Sequence, residues 1–170
     1  IDEGHNLVAA ARDQLISQFT PYSFDDSFIF FSLNNKSHKK EIEQLISIIP
    51  SVESHLFNLQ TKSKSLRTDI QSFFDTYAQS KRMDLSKSRY NEVKVRYIDP
   101  QSEFQETFPL PFDVLKSIKA YMVEVEAFIF EISKEKDRID KIYFQELNVS
   151  LKRIQSGLST FEKALAHKED

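Results

Sequence analysis

Cysteine is absent from this chain, and glycine and proline are scarce. The 170 residues include no cysteine, two glycines and five prolines. Without cysteine the chain can hold neither a disulfide framework nor a thiolate metal site, and this composition is compatible with a reducing cytoplasm. So few turn-forming residues leave little material for the connections of a many-stranded protein. The composition therefore predicts a helical protein.

Long apolar runs are absent as well. No stretch approaches the roughly 20 apolar residues of a membrane-spanning helix, and the first residues lack the basic-then-apolar order of a signal peptide. The net charge of −3 excludes a uniformly basic coat for nucleic acid but allows a local basic patch. With 40% apolar and 29% charged residues, the chain has the composition of one soluble domain with its own core. We expect no contact with a membrane.

Three long segments repeat apolar residues at alternating steps of three and four, a spacing that places them on one face of a helix. These apolar seams cover Val52–Tyr77, with Ser63 as a polar interruption, then Leu115–Ile132 and Leu147–Leu165. Such seams pack helices against one another at shallow angles. They predict an all-α fold, an elongated antiparallel bundle of long helices.

Shorter elements are predicted between and before these seams. One helix is expected over Leu7–Phe19, capped by Asn6, and another over His38–Ile49. Residues 20–37 are expected to form a short helix or an irregular connection. The alternating apolar residues of EVKVRYI allow a small β-hairpin near residues 90–108, with SEFQETF as its second strand.

Proline and glycine give two further expectations. Pro111 suits the first turn of the helix that begins near it, where a missing N–H has no cost. Gly157 lies inside the last seam without changing its phase, so it is interpreted as a weak point of about 1 kcal/mol relative to alanine. We expect the final helix to bend there.

The chain opens with IDEGHNL, in which two adjacent acids are followed by a histidine. Nucleotide hydrolysis uses a carboxylate near Mg²⁺ and a second group that activates the attacking water. At the end of a strand successive side chains point to different sides, so Asp2 and Glu3 could divide this work while His5 senses the phosphate site. The alternative is an acidic chain end without chemistry.

The string IDEGHNL resembles the Walker B motif, or motif II, of superfamily 2 helicases of the DEAH type. The glycine of DEGH is most similar to the DinG branch of the DinG/XPD family, and the continuation VAAARDQL is similar to the helix that follows the motif there. In this family motif II is followed by a long, mostly helical insertion called the arch. The resemblance implies that residues 1–6 are the tail of motif II and that residues 7–170 form one arch-type insertion domain of a longer parent helicase.

The resemblance also implies roles for the opening residues, in the parent helicase only. Asp2 would help to hold Mg²⁺, Glu3 would activate the hydrolytic water, and His5 would couple the nucleotide state to DNA-binding elements. Gly4 replaces the alanine of the commoner motif and removes no catalytic group. The parent would use ATP and Mg²⁺ to unwind DNA with 5′-to-3′ polarity.

The 170 residues themselves contain no G-x-x-x-x-G-K phosphate loop and no second motor domain. We therefore expect that they bind no cofactor and hydrolyse no ATP. The iron–sulfur cysteines of the family, where present, lie upstream of motif II. The lack of cysteine here thus leaves open whether the parent carries a cluster.

Positive charge is concentrated between residues 81 and 96. The segment KRMDLSKSRYNEVKVR contains six basic and two acidic residues. Contacts with phosphates release counterions, and a tyrosine can stack on a base, so we predict that this segment binds single-stranded DNA. The alternative is a connection kept soluble by its charges. The candidate DNA-binding residues are Lys81, Arg82, Lys87, Arg89, Tyr90, Lys94 and Arg96.

Two weaker signals lie elsewhere in the chain. Basic residues at a helix start oppose the helix dipole, so Lys36, His38, Lys39 and Lys40 form a second candidate anion site. Aromatic side chains are expected to fill the spaces between helices, and where two neighbouring aromatics point to both sides of a helix, one marks a docking surface. The aromatics concerned are Phe28, Phe30, Phe73, Phe74, Phe128 and Phe130.

Two functions from different classes follow from these patterns. In the first, the domain guides or clamps single-stranded DNA beside the first motor domain of the same chain. In the second, it is a helical protein–protein interaction domain without direct DNA contact.

Overall fold

The structure, a computed structural model, describes residues 19–80 and 99–166, and within these ranges it contains no strand. The predicted all-α fold is confirmed. Single-turn 3₁₀ helices occur at Lys36–His38 and Lys136–Arg138. The α-helices are α1 (Asp25–Phe30), α2 (Lys39–Ile48), α3 (Val52–Ser80), α4 (Pro100–Glu103), α5 (Pro111–Ser133) and α6 (Lys141–Ala166).

The three long helices lie side by side, with α5 between α3 and α6. Lys62 of α3 pairs with Glu124 of α5, while Asp69, further along α3, faces the same cleft as Ser117. Residue numbers therefore rise along α3 as they fall along α5. The contacts of α6 with α5 run the same way, since Gln155 donates a hydrogen bond to Glu126 and Glu162 pairs with Lys119. The bundle is antiparallel, as predicted from the seams.

Each long helix buries the face that its apolar seam predicts. The polar interruption at Ser63 is buried, and its hydroxyl donates to the Gln60 carbonyl over 2.8 Å, so the helix itself satisfies it. On α5 the predicted seam residues Ile118, Val125 and Ile132 are fully buried, whereas Leu115 and Met122 are only partly buried. Val114, Tyr121 and Phe128 are buried as well, because a helix flanked on two sides buries a face broader than one seam.

Helix α1 packs across one face of the layer that the three long helices form. The Phe28 ring meets the edge of Tyr121 at 5.3 Å between centroids, and the Ser27 hydroxyl donates to the Ser150 carbonyl over 3.4 Å. The predicted short helix between residues 20 and 37 is therefore present. It covers the core through contacts with α3 and α6 and, at Tyr121, with α5.

Helix α6 continues through Gly157 without interruption. A Cβ at position 157 would lie 2.5 Å from Cε1 of Phe24, inside the contact distance of carbon atoms. The close approach of the Phe24 ring therefore favours a glycine at this position. Gly157 lies inside the helix without ending it, as predicted, and the packing of Phe24 adds a second reason for the glycine that the apolar seam did not indicate.

The second strand of the predicted hairpin is absent. Residues 100–103 form α4, and the Thr107 N–H donates to the Phe104 carbonyl over 3.0 Å, closing a turn. The buried Phe104 ring packs 4.7 Å from the ring of Tyr77, and this aromatic contact outweighs the alternating pattern. The first strand lies outside the described residues.

None of the helices within residues 19–80 and 99–166 has both the length and the apolar content that crossing a bilayer requires.

Candidate functional site

The residues of the opening motif and of the basic segment lie outside the described part of the chain. These are Asp2, Glu3 and His5 of the opening motif, and Lys81, Arg82, Lys87, Arg89, Tyr90, Lys94 and Arg96 of the basic segment. The structure does describe the residues that flank both groups. Phe19 follows the opening segment, and Ser80 and Asp99 bracket the basic one.

Phe19 is held between the last turns of α3 and α6. Its ring stacks on Phe161 at 4.5 Å between centroids with an interplanar angle of 15°, and lies 6.1 Å from Phe74. It also meets the edge of Phe24 at 5.6 Å. The chain that follows the opening motif therefore joins the bundle at the C-terminal ends of these two helices.

The ends that bracket the basic segment lie at the same place. Phe104, just after α4, packs 5.5 Å from Phe73 and 4.7 Å from Tyr77 near the end of α3. Phe73 in turn lies 5.8 Å from Phe161. We call Phe19, Phe73, Phe74, Tyr77, Phe104 and Phe161 the aromatic cluster.

The aromatic cluster brings together points that are far apart in sequence. Each aromatic pair contributes about 0.5–1.5 kcal/mol beyond its buried area, so the anchoring is firm. Since Phe19 lies at the same end as Ser80 and Asp99, both segments of interest are attached to one end of the bundle. Sequence reasoning missed this cluster because its members are spread over two helices, α3 and α6, and two connections.

The described surface beside this end is acidic rather than basic. A cleft of about 420 Å³ between α3 and the start of α5 is lined by the carboxylates of Asp69 and Asp113 and by the hydroxyls of Ser72, Thr76 and Ser117. Carboxylates repel the phosphates of DNA. A DNA contact at this end of the molecule therefore depends on the basic segment and not on the cleft.

Two members of the second candidate anion site at Lys36–Lys40, His38 and Lys39, make contacts within the protein. The His38 ring lies 5.1 Å from Phe30 and 5.3 Å from Tyr143, and its Nε2 is 3.2 Å from Oε2 of Glu146. Lys39 Nζ lies 3.7 Å from the Glu43 carboxylate. His38 thus fixes the start of α2 against α6, which accounts for its position without an external anion.

The aromatic residues divide as the sequence suggested. Phe28, Phe73 and Phe128 are buried, while Phe30 and Phe74 are partly buried against the core. Phe130, two positions after Phe128, is 68% exposed. The sequence reading missed a second exposed apolar group at residues 108–112, where aromatic and aliphatic residues alternate with proline.

Within the described ranges, no group of three or more histidine, aspartate or glutamate side chains is arranged to hold a metal ion. Comparisons with protein-family models, curated proteins and solved structures found no match for this chain.

Proposed function

We propose that this chain is an arch-type helical domain of a DinG-like, ATP-dependent DNA helicase, and that it guides single-stranded DNA beside the first motor domain. The observation that carries the proposal is the string IDEGHNL followed by VAAARDQL, at the start of a chain that is otherwise a helical bundle. In the parent protein, Asp2, Glu3 and His5 belong to the ATP and Mg²⁺ site. The parent is placed in the cytoplasm.

The arrangement of the bundle supports this role in mechanical terms. The aromatic cluster attaches the chain after the motif and both ends of the basic segment to one end of a rigid body. A short connection from the motor would therefore keep the basic segment close to it. In this proposal the bundle positions the basic segment relative to the motor domain, and the basic segment binds the DNA.

The DNA contact is tested by replacing Arg89, Lys94 and Arg96 with alanine and measuring the affinity for a fluorescent oligothymidine at low salt. Since each lost phosphate contact forfeits counterion release, we expect binding to weaken by about tenfold or more. The matched control replaces the exposed Lys136, Lys141 and Lys152 with alanine, which removes the same charge elsewhere and should change the affinity far less. Unchanged affinity in the first variant would refute the DNA-guiding role.

The helicase assignment is tested separately from the DNA contact. In the parent helicase that this proposal requires, Glu3→Gln should abolish ATP hydrolysis while nucleotide binding persists, because the carboxylate that activates water is lost. The 170-residue chain alone should show no ATP turnover. An upstream reading frame without a G-x-x-x-x-G-K loop would rule out the helicase parent.

The second candidate function is a protein–protein interaction domain without DNA contact. The exposed apolar residues near position 110 and the acidic cleft beside them favour it, because neither suits a phosphate backbone. If this function is correct, the variant with alanine at Arg89, Lys94 and Arg96 should have the same affinity for oligothymidine as the wild-type chain.

A further inference from the structure

The segment 108–112 exposes three large apolar side chains within five positions. Phe108 is 78% exposed, Phe112 is 46% exposed and Leu110 is 41% exposed. Because successive Cα atoms are about 3.8 Å apart, the three side chains start within roughly 15 Å of one another. Apolar groups gathered in this way on a surface are typical of interaction sites.

Hydrogen bonds and buried neighbouring residues fix the segment 108–112 in place, so its apolar side chains are exposed in an ordered conformation. Pro109 and Pro111 restrict φ at alternate positions, and Thr107 and Pro111 are themselves buried. The Leu110 carbonyl accepts the N–H groups of Asp113 and Val114 at 3.0 and 3.1 Å, which joins the segment to the first turn of α5. A surface fixed in this way loses little conformational entropy on binding.

The acidic cleft adjoins this apolar surface directly, since Phe108 and Pro109 form part of its wall. Within residues 19–80 and 99–166, the carboxylates of Asp69 and Asp113 make no ion pair with a basic side chain. The cleft therefore presents two uncompensated negative charges next to an exposed aromatic ring. That combination suits a cation with an apolar neighbour.

We propose that Phe108, Leu110, Phe112, Asp69 and Asp113 form a docking site for a segment of another protein that carries arginine or lysine beside apolar side chains. The basic group would enter the cleft, and its apolar neighbours would cover the exposed rings. DNA is a poor occupant because its phosphates would meet the two carboxylates. A second copy docked through the same face is also disfavoured, because it would bring the two pairs of carboxylates together. This inference does not depend on the helicase assignment.

The test uses a site-specific fluorescent label, which is straightforward because the chain has no cysteine. Ser72→Cys places the label at the wall of the cleft. Two short probe peptides are compared, one of alternating arginine and leucine and its twin of alternating glutamate and leucine. We expect the arginine peptide to bind at least about tenfold more tightly than its twin, because charge complementarity selects between partners of equal apolarity.

Two variants separate the charge from the apolar contribution. Asp69→Asn with Asp113→Asn keeps the shape of the cleft and should reduce the preference to about twofold or less. Phe108→Ser with Phe112→Ser should weaken both peptides. The control variants, Asp137→Asn and Ile142→Ser, alter an exposed acid and an exposed apolar residue near the start of α6, and they should change neither result.

Three outcomes would overturn the proposal. In the first, the wild-type chain binds both peptides equally. In the second, the control variants weaken binding as much as the cleft variants do. In the third, oligothymidine added without peptide saturates the signal of the cleft label in a variant whose Arg89, Lys94 and Arg96 are alanine, which would assign the surface to DNA. Circular dichroism and thermal melting of each variant confirm that loss of binding is not loss of fold.

Discussion

The ring of Phe24 lies directly against the backbone of α6 at Gly157. A Cβ atom at position 157 would be 2.5 Å from Cε1 and 2.9 Å from Cζ of that ring. Phe24 is itself buried and packs against the rings of Phe19 and Phe28. Because the ring has neighbours on its other sides, it has little room to move away. The contact couples the segment before α1 to the middle of the last helix.

We expect Gly157→Ala to destabilise the protein, although alanine is the better helix former. The gain in helix propensity is about 1 kcal/mol, whereas forcing an extra carbon into a packed core costs typically about 1–3 kcal/mol. The free energy of unfolding should therefore fall by up to about 2 kcal/mol, as measured by urea denaturation. Phe24→Leu removes the ring, so adding Gly157→Ala in that background should cost less. If the single Gly157→Ala variant is more stable than the wild type, the Phe24 ring does not hinder a side chain at position 157.

Phe128 and Phe130 lie two positions apart on α5, and comparing them shows how much burial of a phenylalanine contributes to stability. Phe128 is fully buried and Phe130 is 68% exposed. Phe128→Ala should lower the free energy of unfolding by about 3–5 kcal/mol, because it leaves a cavity among packed side chains. Phe130→Ala should change it by no more than about 0.5 kcal/mol, as is usual for a surface position. Similar losses at both positions would show that the outer face of α5 is also covered.

Tyr121 and Tyr143 should make the protein sensitive to alkali. Burial raises the pKa of both phenols, and the nearby Glu41 and Glu146 carboxylates add to this effect at Tyr143. A raised folded-state pKa contributes stability that is complete below the unfolded value, about pH 10, and is lost as pH rises through the folded value. Each tyrosine should therefore cost about 1.4 kcal/mol per pH unit above pH 10.

The tyrosine prediction is checked with Tyr121→Phe and Tyr143→Phe. Neither hydroxyl has a hydrogen-bond partner among the described residues, so both variants should be neutral or stabilising at pH 7. Their urea midpoints should then change less than that of the wild type between pH 9.5 and roughly pH 11. A large loss of stability at pH 7 in either variant would contradict the structure around these rings.

The proposed DNA contact predicts a specific dependence on salt. For single strands the slope of log affinity against log salt is about −0.7 for each phosphate contact. Replacing Arg89, Lys94 and Arg96 with alanine should therefore reduce the magnitude of the slope by about 2. Oligothymidine titrations at several salt concentrations measure it. If the affinity falls but the slope does not change, the variant has lost affinity because less of it is folded, and not because phosphate contacts are missing.

The helices of this protein could be predicted from local sequence because their signals are local. The Val52–Tyr77 seam corresponds to α3, and Pro111 begins α5, as its missing N–H suggested. The hairpin prediction was wrong in its described half because Phe104 packs on Tyr77, a residue far from it in sequence. The residues predicted for the functional sites lie outside the described ranges, so those predictions remain to be tested.

The periodic apolar residues, together with the scarcity of turn formers, were enough to specify an all-α chain with three long amphipathic helices. Tertiary structure alone decided that the Phe24 ring packs against Gly157, and that Phe19, Phe104 and Phe161 meet at one end of the bundle. It alone decided that Phe108 stands exposed beside Asp69 and Asp113. The physical reason is that helix formation depends on neighbours three and four residues apart, whereas these contacts join distant segments whose pairing has no local signal.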